Sequence, residues 1–295
     1  MKIFSPAKIN LFLAITGRRA DGFHELVSVV APLEFGDTLQ LEGRTQAEGF
    51  SLECTDAMAP VDESNLVLRA ARAFATAAGW QGGAHFRLEK RIPLGAGLGG
   101  GSSNAVAALR ALNELAGRPL ERTRLAELAA VLGSDCPLFL HDGPVVIRGR
   151  GERVAALASE AAARLRGRQV LVFKPMFGIS TAWAYARMAA EAPARYLSPT
   201  EAEARMAAWI AGNAPAEELL FNGMEGVAGE KFLALPLLLA ALHEEHGLAA
   251  RMSGSGSACF ALLPANATAQ TVASITECVR EHWGREAFVA DTKIQ

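Results

Sequence analysis

A glycine-rich stretch at residues 93–104 limits what this 295-residue chain can fold into more than any other feature of its sequence. It reads Pro-Leu-Gly-Ala-Gly-Leu-Gly-Gly-Gly-Ser-Ser-Asn. Alternating hydrophobic residues precede it and predict a strand that ends at Pro93. The Ala- and Leu-rich residues 105–116 follow it and predict a helix with Gly117 at its C-terminal cap. The sequence therefore predicts a strand, a glycine loop and a helix, in that order.

The composition of this glycine loop indicates a binding site for phosphate groups. Five residues without a Cβ atom let the backbone turn tightly, so that its N–H groups gather around one point. Hydroxyl and amide side chains follow where the helix begins, and the unpaired N–H groups and helix dipole there favour a bound anion. We interpret the loop as a cradle for nucleotide phosphates. The residues concerned are Gly95, Gly97, Gly99, Gly100, Gly101, Ser102, Ser103 and Asn104.

Three other interpretations of the loop compete with this one. The spacing Gly95-x-Gly97-x-x-Gly100 matches a dinucleotide-binding fingerprint, but that fingerprint requires a second strand after the helix. Residues 120–132 have a helical pattern instead. A Walker A loop requires a lysine before its Ser or Thr, and Gly101 stands there. A flexible connector is not expected between a strand and a capped helix.

The overall composition excludes several classes of protein. With 51% hydrophobic and 20% charged residues, the chain can build full cores in one large or two ordinary domains. A net charge of -2 gives no basic surplus for nucleic acid. No apolar run reaches the ~18 residues that span a bilayer, and the first residues resemble no targeting signal. The four cysteines are scattered, so we expect reduced thiols in a cytoplasmic protein.

The first predicted strand, residues 3–15, is interrupted at residues 5–7 and carries two polar side chains. Alternation places Lys8 and Asn10 on the same face of this strand. A strand that buries one apolar face has little structural use for a lysine and an amide together on the other. A solvated outer face is the alternative.

Two turns are predicted after this strand. Asp21-Gly22 predicts a turn that places Phe23 and His24 on a loop edge. Taken singly, Phe23 is typical of a core residue and His24 of a surface residue. Gly36-Asp37 predicts a hairpin turn between two strands.

Three further segments combine functional groups with a recognisable position. Asp135 lies between a glycine turn and an apolar run, where an acid is either a cap or a catalytic group. Residues 253–257, Ser-Gly-Ser-Gly-Ser, join two apolar strands and form either a second phosphate nest or a brace for a loop. The spacing of His243 and His246 matches no metal-binding helix motif, so no metal site is predicted.

The order of the predicted elements indicates the fold class. The second half follows the order β-α-β-β-α-β with added helices, which suits an α+β, split βαβ domain. A charged, Ala-rich helix at residues 155–167 is the predicted boundary between two domains. We therefore predict an N-terminal domain at residues 1–160 and a C-terminal domain at residues 161–295.

Three separate blocks of the chain resemble the ordered motifs of the GHMP small-molecule kinases. The blocks are Ser5-Pro-Ala-Lys-Ile-Asn-Leu11, residues 93–104 and Met252-Ser-Gly-Ser-Gly-Ser257. The resemblance covers nearly the whole chain. It implies a two-domain GHMP kinase fold, with an N-terminal ribosomal-protein-S5-like domain and a C-terminal ferredoxin-like split βαβ domain with extra helices. It also implies ATP and Mg²⁺ as cofactors and a monomer or weak homodimer.

Two more blocks, residues 19–25 and 133–137, resemble one branch of this superfamily. That branch phosphorylates the 2-hydroxyl of a cytidine diphosphate-linked methylerythritol in the non-mevalonate isoprenoid pathway. The resemblance implies that Asp135 accepts the hydroxyl proton, that Lys8 assists near the transferring phosphate, and that Asn10 orients the polyol. A homoserine or mevalonate kinase is the nearest alternative, and a non-catalytic GHMP-fold binding protein is another. Residues 21–24, Asp-Gly-Phe-His, argue against both of these kinases, because neither homoserine nor mevalonate carries a nucleobase that Phe23 and His24 could bind.

The same resemblance implies further binding residues. Phe23 and His24 would bind the cytosine with Tyr185 as the second stacking residue, although Trp183 is the alternative within the uncertainty of helix phase. Asn65 and Lys90 match positions near the adenine. Two residues depart from the family pattern. Phe23 stands where the family commonly has Tyr. The segment Asn222-Gly-Met-Glu225 differs from a common Asn-Asp-x-Glu pattern, which leaves the role of Glu225 open. The loop residues implied to wrap the ATP phosphates, with Mg²⁺ also on Ser102 or Ser103, are Pro93, Leu94, Gly95, Ala96, Gly97, Leu98, Gly99, Gly100, Gly101, Ser102 and Ser103.

Overall fold

A computed structural model describes every residue from Met1 to Gln295, and the chain divides into two compact units. Unit 1 contains Met1–Ala7, Phe35–Leu94 and Gly99–Asp142. Unit 2 contains Lys8–Glu34, Gly95–Leu98 and Gly143–Gln295. This division differs from the single boundary predicted at residue 160, because the N-terminal half contributes segments to both units.

Eleven strands and nine α-helices form the secondary structure. The strands are β1 (Lys2–Arg18), β2 (His24–Arg44), β3 (Phe50–Cys54), β4 (Gly83–Glu89), β5 (Val145–Gly149), β6 (Arg153–Ala156), β7 (Gln169–Lys174), β8 (Phe221–Asn222), β9 (Ala250–Met252), β10 (Cys259–Leu262) and β11 (Phe288–Lys293). The helices are α1 (Leu66–Ala78), α2 (Gly100–Leu115), α3 (Arg122–Leu132), α4 (Ser159–Ala163), α5 (Thr181–Ala190), α6 (Pro199–Ala211), α7 (Glu225–Lys231), α8 (Ala234–His246) and α9 (Ala269–Trp283). Short 3-10 helices cover Gln46–Glu48, Cys136–Leu140 and Ala216–Leu219.

Unit 1 packs three helices together beside part of a mixed sheet. The C-terminal part of β2 pairs antiparallel with β4, and β4 pairs parallel with β3. Helices α1, α2 and α3 contact one another, and α1 also contacts β3. The alanines of α2 favour the helix and allow this close packing. Phe74 of α1 and Phe86 of β4 are fully buried in the resulting core.

Unit 2 contains strand pairs of the first sheet and a complete second sheet. Within it β1 pairs parallel with β8, the first part of β2 pairs antiparallel with β5, and β5 forms a hairpin with β6. The second sheet has the order β11-β7-β10-β9 and is antiparallel throughout. Helix α9 connects β10 to β11, and its Trp283 packs on Phe173 of β7 at 5.6 Å between ring centroids. This order confirms the predicted ferredoxin-like split βαβ arrangement.

Strand β1 is continuous through Pro6, so the predicted interruption at residues 5–7 is wrong. The fixed φ of proline is compatible with extended backbone, and the residue lacks only its N–H donor. Ser5 is buried, donates a hydrogen bond to Ser103 Oγ and accepts one from Asn104 Nδ2, each at 2.8 Å. Tertiary hydrogen bonds therefore hold the Ser-Pro-Ala segment in the strand.

Strand β2 also runs without a break, so the predicted hairpin turn at Gly36-Asp37 is wrong. The backbone of β1 approaches so closely that a Cβ atom on Gly36 would lie 2.3 Å from the carbonyl oxygen of Ser5. Asp37 is fully buried and accepts hydrogen bonds from the backbone N–H groups of Arg91 and Ile92. The glycine serves close packing and the aspartate serves a buried polar contact, so neither marks a turn.

Several helix boundaries also differ from the predicted ones. Helix α2 begins at Gly100 rather than at residue 105, after Gly99 in the left-handed conformation. The predicted helix at residues 155–167 is limited to α4, because its first residues belong to the hairpin strand β6. No single helix is both long and apolar enough to cross a membrane, and α7 with α8 meets that criterion only as a pair bent by 115°.

An alanine at position 36 tests the close approach of β1 and β2. We expect Gly36→Ala to lower the free energy of unfolding by about 2 kcal/mol or more, because the new methyl group overlaps the backbone of Ser5 and Pro6. Gly17→Ala in β1 is the matched control, since its Cβ would meet no atom within 4 Å. Urea denaturation measures both variants. Equal stabilities would contradict the close approach.

Candidate active site

The centre of the glycine loop is held in unit 2 by hydrogen bonds to its carbonyl groups. Three consecutive carbonyl oxygens accept hydrogen bonds: Ala96 from Ala258 N at 3.0 Å, Gly97 from Ser253 Oγ at 3.1 Å, and Leu98 from Lys8 N at 2.9 Å. The backbone N–H groups of residues 95–98 donate no hydrogen bond within the protein. The loop therefore keeps its donors available for an anion, as a phosphate cradle requires.

The turn at residues 253–257 braces this loop at close range. A Cβ atom on Gly97, whose φ is +75°, would lie only 2.3 Å from the carbonyl oxygen of Ser253. Gly95 also has a positive φ of +61°, but a Cβ atom there would meet nothing within 4 Å. Of the two functions predicted for the turn, the structure shows the brace, and the second phosphate nest stays a prediction.

Asn222 and Glu225 fix the turn from the other side. Asn222 Nδ2 donates hydrogen bonds to the carbonyl oxygens of Met252 at 2.6 Å and Gly254 at 2.9 Å. Glu225 accepts one from Met252 N at 2.8 Å, and burial raises the pKa of its carboxyl group. The segment whose role the sequence left open is thus a support for the turn that braces the glycine loop.

Lys8 and Asn10 form a buried polar pair on one face of β1. Lys8 Nζ donates to Asn10 Oδ1 at 2.7 Å, and Asn10 Nδ2 donates to Ser28 Oγ at 3.0 Å. Each of the two residues is 4% exposed, so the alternative of a solvated outer face is wrong. A Cβ atom on Gly254 would lie 3.3 Å from Lys8 Nζ, which places the ammonium group beside the bracing turn. A positive charge held there attracts a phosphate.

The second part of the glycine loop lies in unit 1 and opens α2. Ser103 and Asn104 are buried in the first turns of the helix and bind Ser5, whereas Ser102 is only half-buried. The Ser103 hydroxyl accepts a hydrogen bond from Ser5 and the Ser102 hydroxyl is hydrogen-bonded to the Cys136 thiol, so the contact of either serine with Mg²⁺ stays a prediction.

The two residues predicted near the adenine have structural partners in unit 1. Asn65 caps α1: its Oδ1 accepts from Val67 N at 2.9 Å and its Nδ2 donates to the Pro60 carbonyl at 2.6 Å. Lys90 forms a buried ion pair with Asp37, with Nζ and Oδ2 2.5 Å apart. Their contacts with adenine stay a prediction. No sequence pattern indicates the buried role of Asp37, because Gly36-Asp37 has the composition of a turn.

Asp135 stands at the start of the 3-10 helix Cys136–Leu140 in unit 1. It is half-buried, and its side chain makes no capping hydrogen bond to that helix. Its side chain therefore does not cap this helix, and its catalytic role stays a prediction. Burial raises the pKa of the neighbouring Cys136 thiol to about 11, so this sulfur is no competing nucleophile at neutral pH.

His24 and Tyr185 come together in unit 2, although they are far apart in the sequence. Their ring centroids are 4.8 Å apart, and Tyr196 packs edge-on against His24 at 6.0 Å. His24 Nε2 and Tyr196 Oη are buried and have no hydrogen-bond partner. Trp183 packs on Phe232 instead, so Tyr185 is the aromatic residue of α5 that contacts His24.

The exposure of Phe23 and His24 is the reverse of what each residue indicates singly. His24 is 8% exposed, whereas Phe23 is 49% exposed and its ring lies 4.9 Å from the Arg150 guanidinium. Burial lowers the pKa of His24, so its imidazole is neutral at pH 7 and offers one donor and one acceptor. Buried polar atoms without a hydrogen-bond partner are rare, so His24 Nε2 and Tyr196 Oη are candidates for binding a ligand. Tyr196 lies outside every sequence motif, so no signal identified it.

Comparisons with known protein families find two matching domains. The family described as GHMP kinases N terminal domain matches residues 65–143, and GHMP kinases C terminal matches residues 210–284. A 4-diphosphocytidyl-2-C-methyl-D-erythritol kinase of Polaromonas sp. is 39% identical over 272 residues, covering 88% of this chain and 82% of the relative. One of Prochlorococcus marinus is 38% identical over 290 residues, covering 94% and 88%.

Solved structures show the same relationship. A crystal structure of 4-(cytidine 5'-diphospho)-2C-methyl-D-erythritol kinase has a TM-score of 0.78 and 34% identity, with complete coverage of both chains. The Methanococcus jannaschii mevalonate kinase has a TM-score of 0.74 at 13% identity and covers 100% of this chain and 98% of its own. The second likeness, at this low identity, shows the fold alone.

Alanine at position 97 tests the brace on the glycine loop. We expect Gly97→Ala to lower ATP affinity by about 10-fold or more, because the left-handed conformation is strained and the methyl group overlaps the Ser253 carbonyl. Gly95→Ala is the matched control, since it adds the strain of about 1–2 kcal/mol without the overlap. Isothermal titration calorimetry with ATP compares them. Equal affinities would show that the Ser253 contact does not position the loop.

Proposed function

Because the chain belongs to the 4-diphosphocytidyl-2-C-methyl-D-erythritol kinase family of the GHMP kinases, we propose that it phosphorylates 4-diphosphocytidyl-2-C-methyl-D-erythritol itself. It is a small-molecule kinase, and the proposed reaction transfers the γ-phosphoryl group of ATP to the 2-hydroxyl of this polyol. The observation that carries the choice of substrate is the buried His24 beside Tyr185, whose Nε2 atom has no hydrogen-bond partner. A cytidine offers a base for that site, whereas mevalonate and homoserine do not.

Phosphoryl transfer depends mainly on positioning and on stabilisation of charge. The N–H groups of the glycine loop hold the ATP phosphates, and the Lys8 ammonium stabilises negative charge on the transferring group. Asn10 orients the polyol. Its amide is itself held by hydrogen bonds to Lys8 and Ser28, so its orientation is fixed before substrate binds.

Asp135 is the proposed general base of the reaction. A tertiary alcohol is a crowded nucleophile, and removal of its proton as the new bond forms lowers the barrier. Asp135 is half-buried and follows the glycine turn at residues 133–134, in the block that resembles the catalytic segment of the family.

Mg²⁺ fits the oxygen donors that this site provides. The half-buried Ser102 hydroxyl and the ATP phosphate oxygens are hard ligands of the kind that Mg²⁺ takes. When bound, the ion neutralises phosphate charge. Ser102 would hold it at the N-terminus of α2.

The cytosine site uses neutral groups. His24 reads the edge of the base through Nε2, Tyr185 stacks on one face, and the exposed ring of Phe23 supplies the other. Stacking of a base on an aromatic ring contributes about 1–3 kcal/mol and tolerates any base, so discrimination between bases falls to His24.

A comparison of substrates tests the proposed activity. We expect ATP-dependent ADP release with 4-diphosphocytidyl-2-C-methyl-D-erythritol and none above background with mevalonate or homoserine.

In the same assay Asp135→Asn should lower turnover by ~10²-fold or more, because an amide of the same shape takes up no proton. ATP affinity and melting temperature should not change. Preferential turnover of mevalonate or homoserine would contradict the substrate, and near-normal turnover by Asp135→Asn would contradict the base.

The pH dependence of substrate binding tests the role of His24. Because its pKa is lowered by burial from 6.5, the imidazole is neutral above pH 6.5 and is protonated only as the pH falls further. We expect the affinity for the cytidine substrate to be constant above pH 6.5 and to fall as the pH drops through the lowered pKa. His24→Asn should bind more weakly and lose this dependence. Calorimetry between pH 5 and 8 measures both, and an unchanged pH profile in the variant would contradict the assignment.

A further inference from the structure

Asp37 is a buried acid to which the proposed function assigns no role. It lies in the middle of β2 with no exposed surface, and it is the only acid among the buried polar residues of the chain. Burial of a carboxylate is unfavourable unless its oxygens are hydrogen-bonded or paired with a positive charge. The family motifs, which include the glycine loop and residues 133–137, do not include this residue.

Four donors converge on the two oxygens of Asp37. Oδ1 accepts hydrogen bonds from Arg91 N at 2.7 Å and Ile92 N at 2.8 Å. Oδ2 accepts from Lys90 Nζ at 2.5 Å and Asn104 Nδ2 at 2.9 Å. One oxygen therefore binds the backbone that enters the glycine loop, and the other binds the helix that leaves it.

The contacts continue into the first turn of α2. Asn104 Nδ2 also donates to Ser5 Oγ, and Ser5 donates to Ser103 Oγ, each at 2.8 Å. A Cβ atom on Gly100 would lie 3.1 Å from Lys90 Nζ, so the ammonium group lies against the first residue of the helix. The ion pair of Asp37 with Lys90 thus contacts the loop at Gly100, which has no side chain with which to pack.

We propose that Asp37 is a positioning residue for ATP, which fixes both ends of the glycine loop and holds Lys90 against the N-terminus of α2. This inference rests on the proposed function. A chain of glycines loses much conformational entropy when it is ordered, so a loop whose ends are already fixed binds phosphate with a smaller entropic loss. Lys90 supports the loop in this arrangement, and its charge is balanced by Asp37.

The substitution Asp37→Asn keeps the size of the side chain but replaces the acceptor Oδ2 with an NH₂ group, which is a donor. The amide oxygen still accepts from Arg91 N and Ile92 N, but its NH₂ group faces the donors of Lys90 and Asn104. We expect the KM for ATP to rise by about 10-fold or more, the factor for loss of a charge-assisted hydrogen bond, while kcat at saturating ATP and the KM for the cytidine substrate stay unchanged. A merely structural role would instead lower the active fraction and leave both KM values unchanged.

A reciprocal exchange distinguishes this pairing from general damage. Asn104→Asp alone places two carboxylates on one lysine and should also raise the KM for ATP. In the double variant Asp37→Asn with Asn104→Asp, the amide at 37 donates to the carboxylate at 104, whose position is already 3.4 Å from Lys90 Nζ. We expect the KM for ATP to fall below that of either single variant. A folded double variant that is no better than Asp37→Asn overturns the proposal.

Two further variants complete the test. Asn104→Ala removes the hydrogen bonds of Asn104 with Asp37, Lys90 and Ser5 and leaves the ion pair of Asp37 with Lys90, so it remains as a test if the charge exchange fails to fold. A wild-type KM for ATP in a folded Asp37→Asn or Asn104→Ala variant overturns the proposal. Glu203→Gln is the control, since it removes a carboxylate from an ion pair with Arg148 in unit 2 and should leave the KM for ATP unchanged.

Failure of the proposed function gives a different result from failure of this inference. If the wild-type protein neither binds ATP in calorimetry nor phosphorylates the cytidine substrate, the proposed function is wrong. If the wild-type protein does both and Asp37→Asn has the same KM for ATP, only the role of Asp37 is wrong.

Discussion

The close backbone contact between Gly97 and Ser253 is the constraint on which the candidate active site depends. A glycine loop has no side chains with which to pack, so only contacts to its backbone hold it in one conformation. Here the carbonyl groups of three successive residues are bound by the protein, and their N–H groups are left as donors. At these residues the loop therefore offers free N–H donors, whereas its carbonyl acceptors already have partners in the protein. Asn222 and Glu225, which hold the bracing turn, act on the loop through Ser253.

In both units the buried charged groups are bound by partners that the protein itself supplies. In unit 2 the Lys8 ammonium is bound to Asn10, which is bound in turn to Ser28. In unit 1 Lys90 is paired with Asp37, which also accepts backbone hydrogen bonds. A charge taken out of water is tolerated when such partners are in place beforehand. Partners fixed in advance also keep the charged groups in position before a ligand binds, which favours charge stabilisation over reorganisation.

The proposed cytosine site follows a different principle, since it contains buried polar atoms that lack hydrogen-bond partners. His24 Nε2 and Tyr196 Oη are both enclosed without hydrogen bonds. Such atoms lower stability when the site is empty and recover their hydrogen bonds when a complementary ligand enters. A base that satisfies them is favoured over one that does not, because the wrong base leaves a buried group unpaired. At the proposed cytosine site, specificity would therefore be linked to the stability of the unliganded protein.

The sequence alone determined the strand-loop-helix unit, the split βαβ order and the residue types of the site. These features depend on local patterns: hydrophobic alternation, helix propensity and the conformational freedom of glycine. The common face of Lys8 and Asn10 also follows from the two-residue period of a strand. Family motifs then pointed to residues such as Asp135 and His24, whose individual patterns left more than one role open.

Only the tertiary structure decided which side chains are buried and what they bind. Gly36-Asp37 has the local composition of a turn, yet the approach of Ser5 and the four donors around Asp37 keep it in a continuous strand. Phe23 and His24 exchange their expected exposures because Tyr185 and Tyr196, distant in sequence, enclose the histidine. Burial and pairing depend on contacts between distant segments, and the free energy of those contacts exceeds local preference.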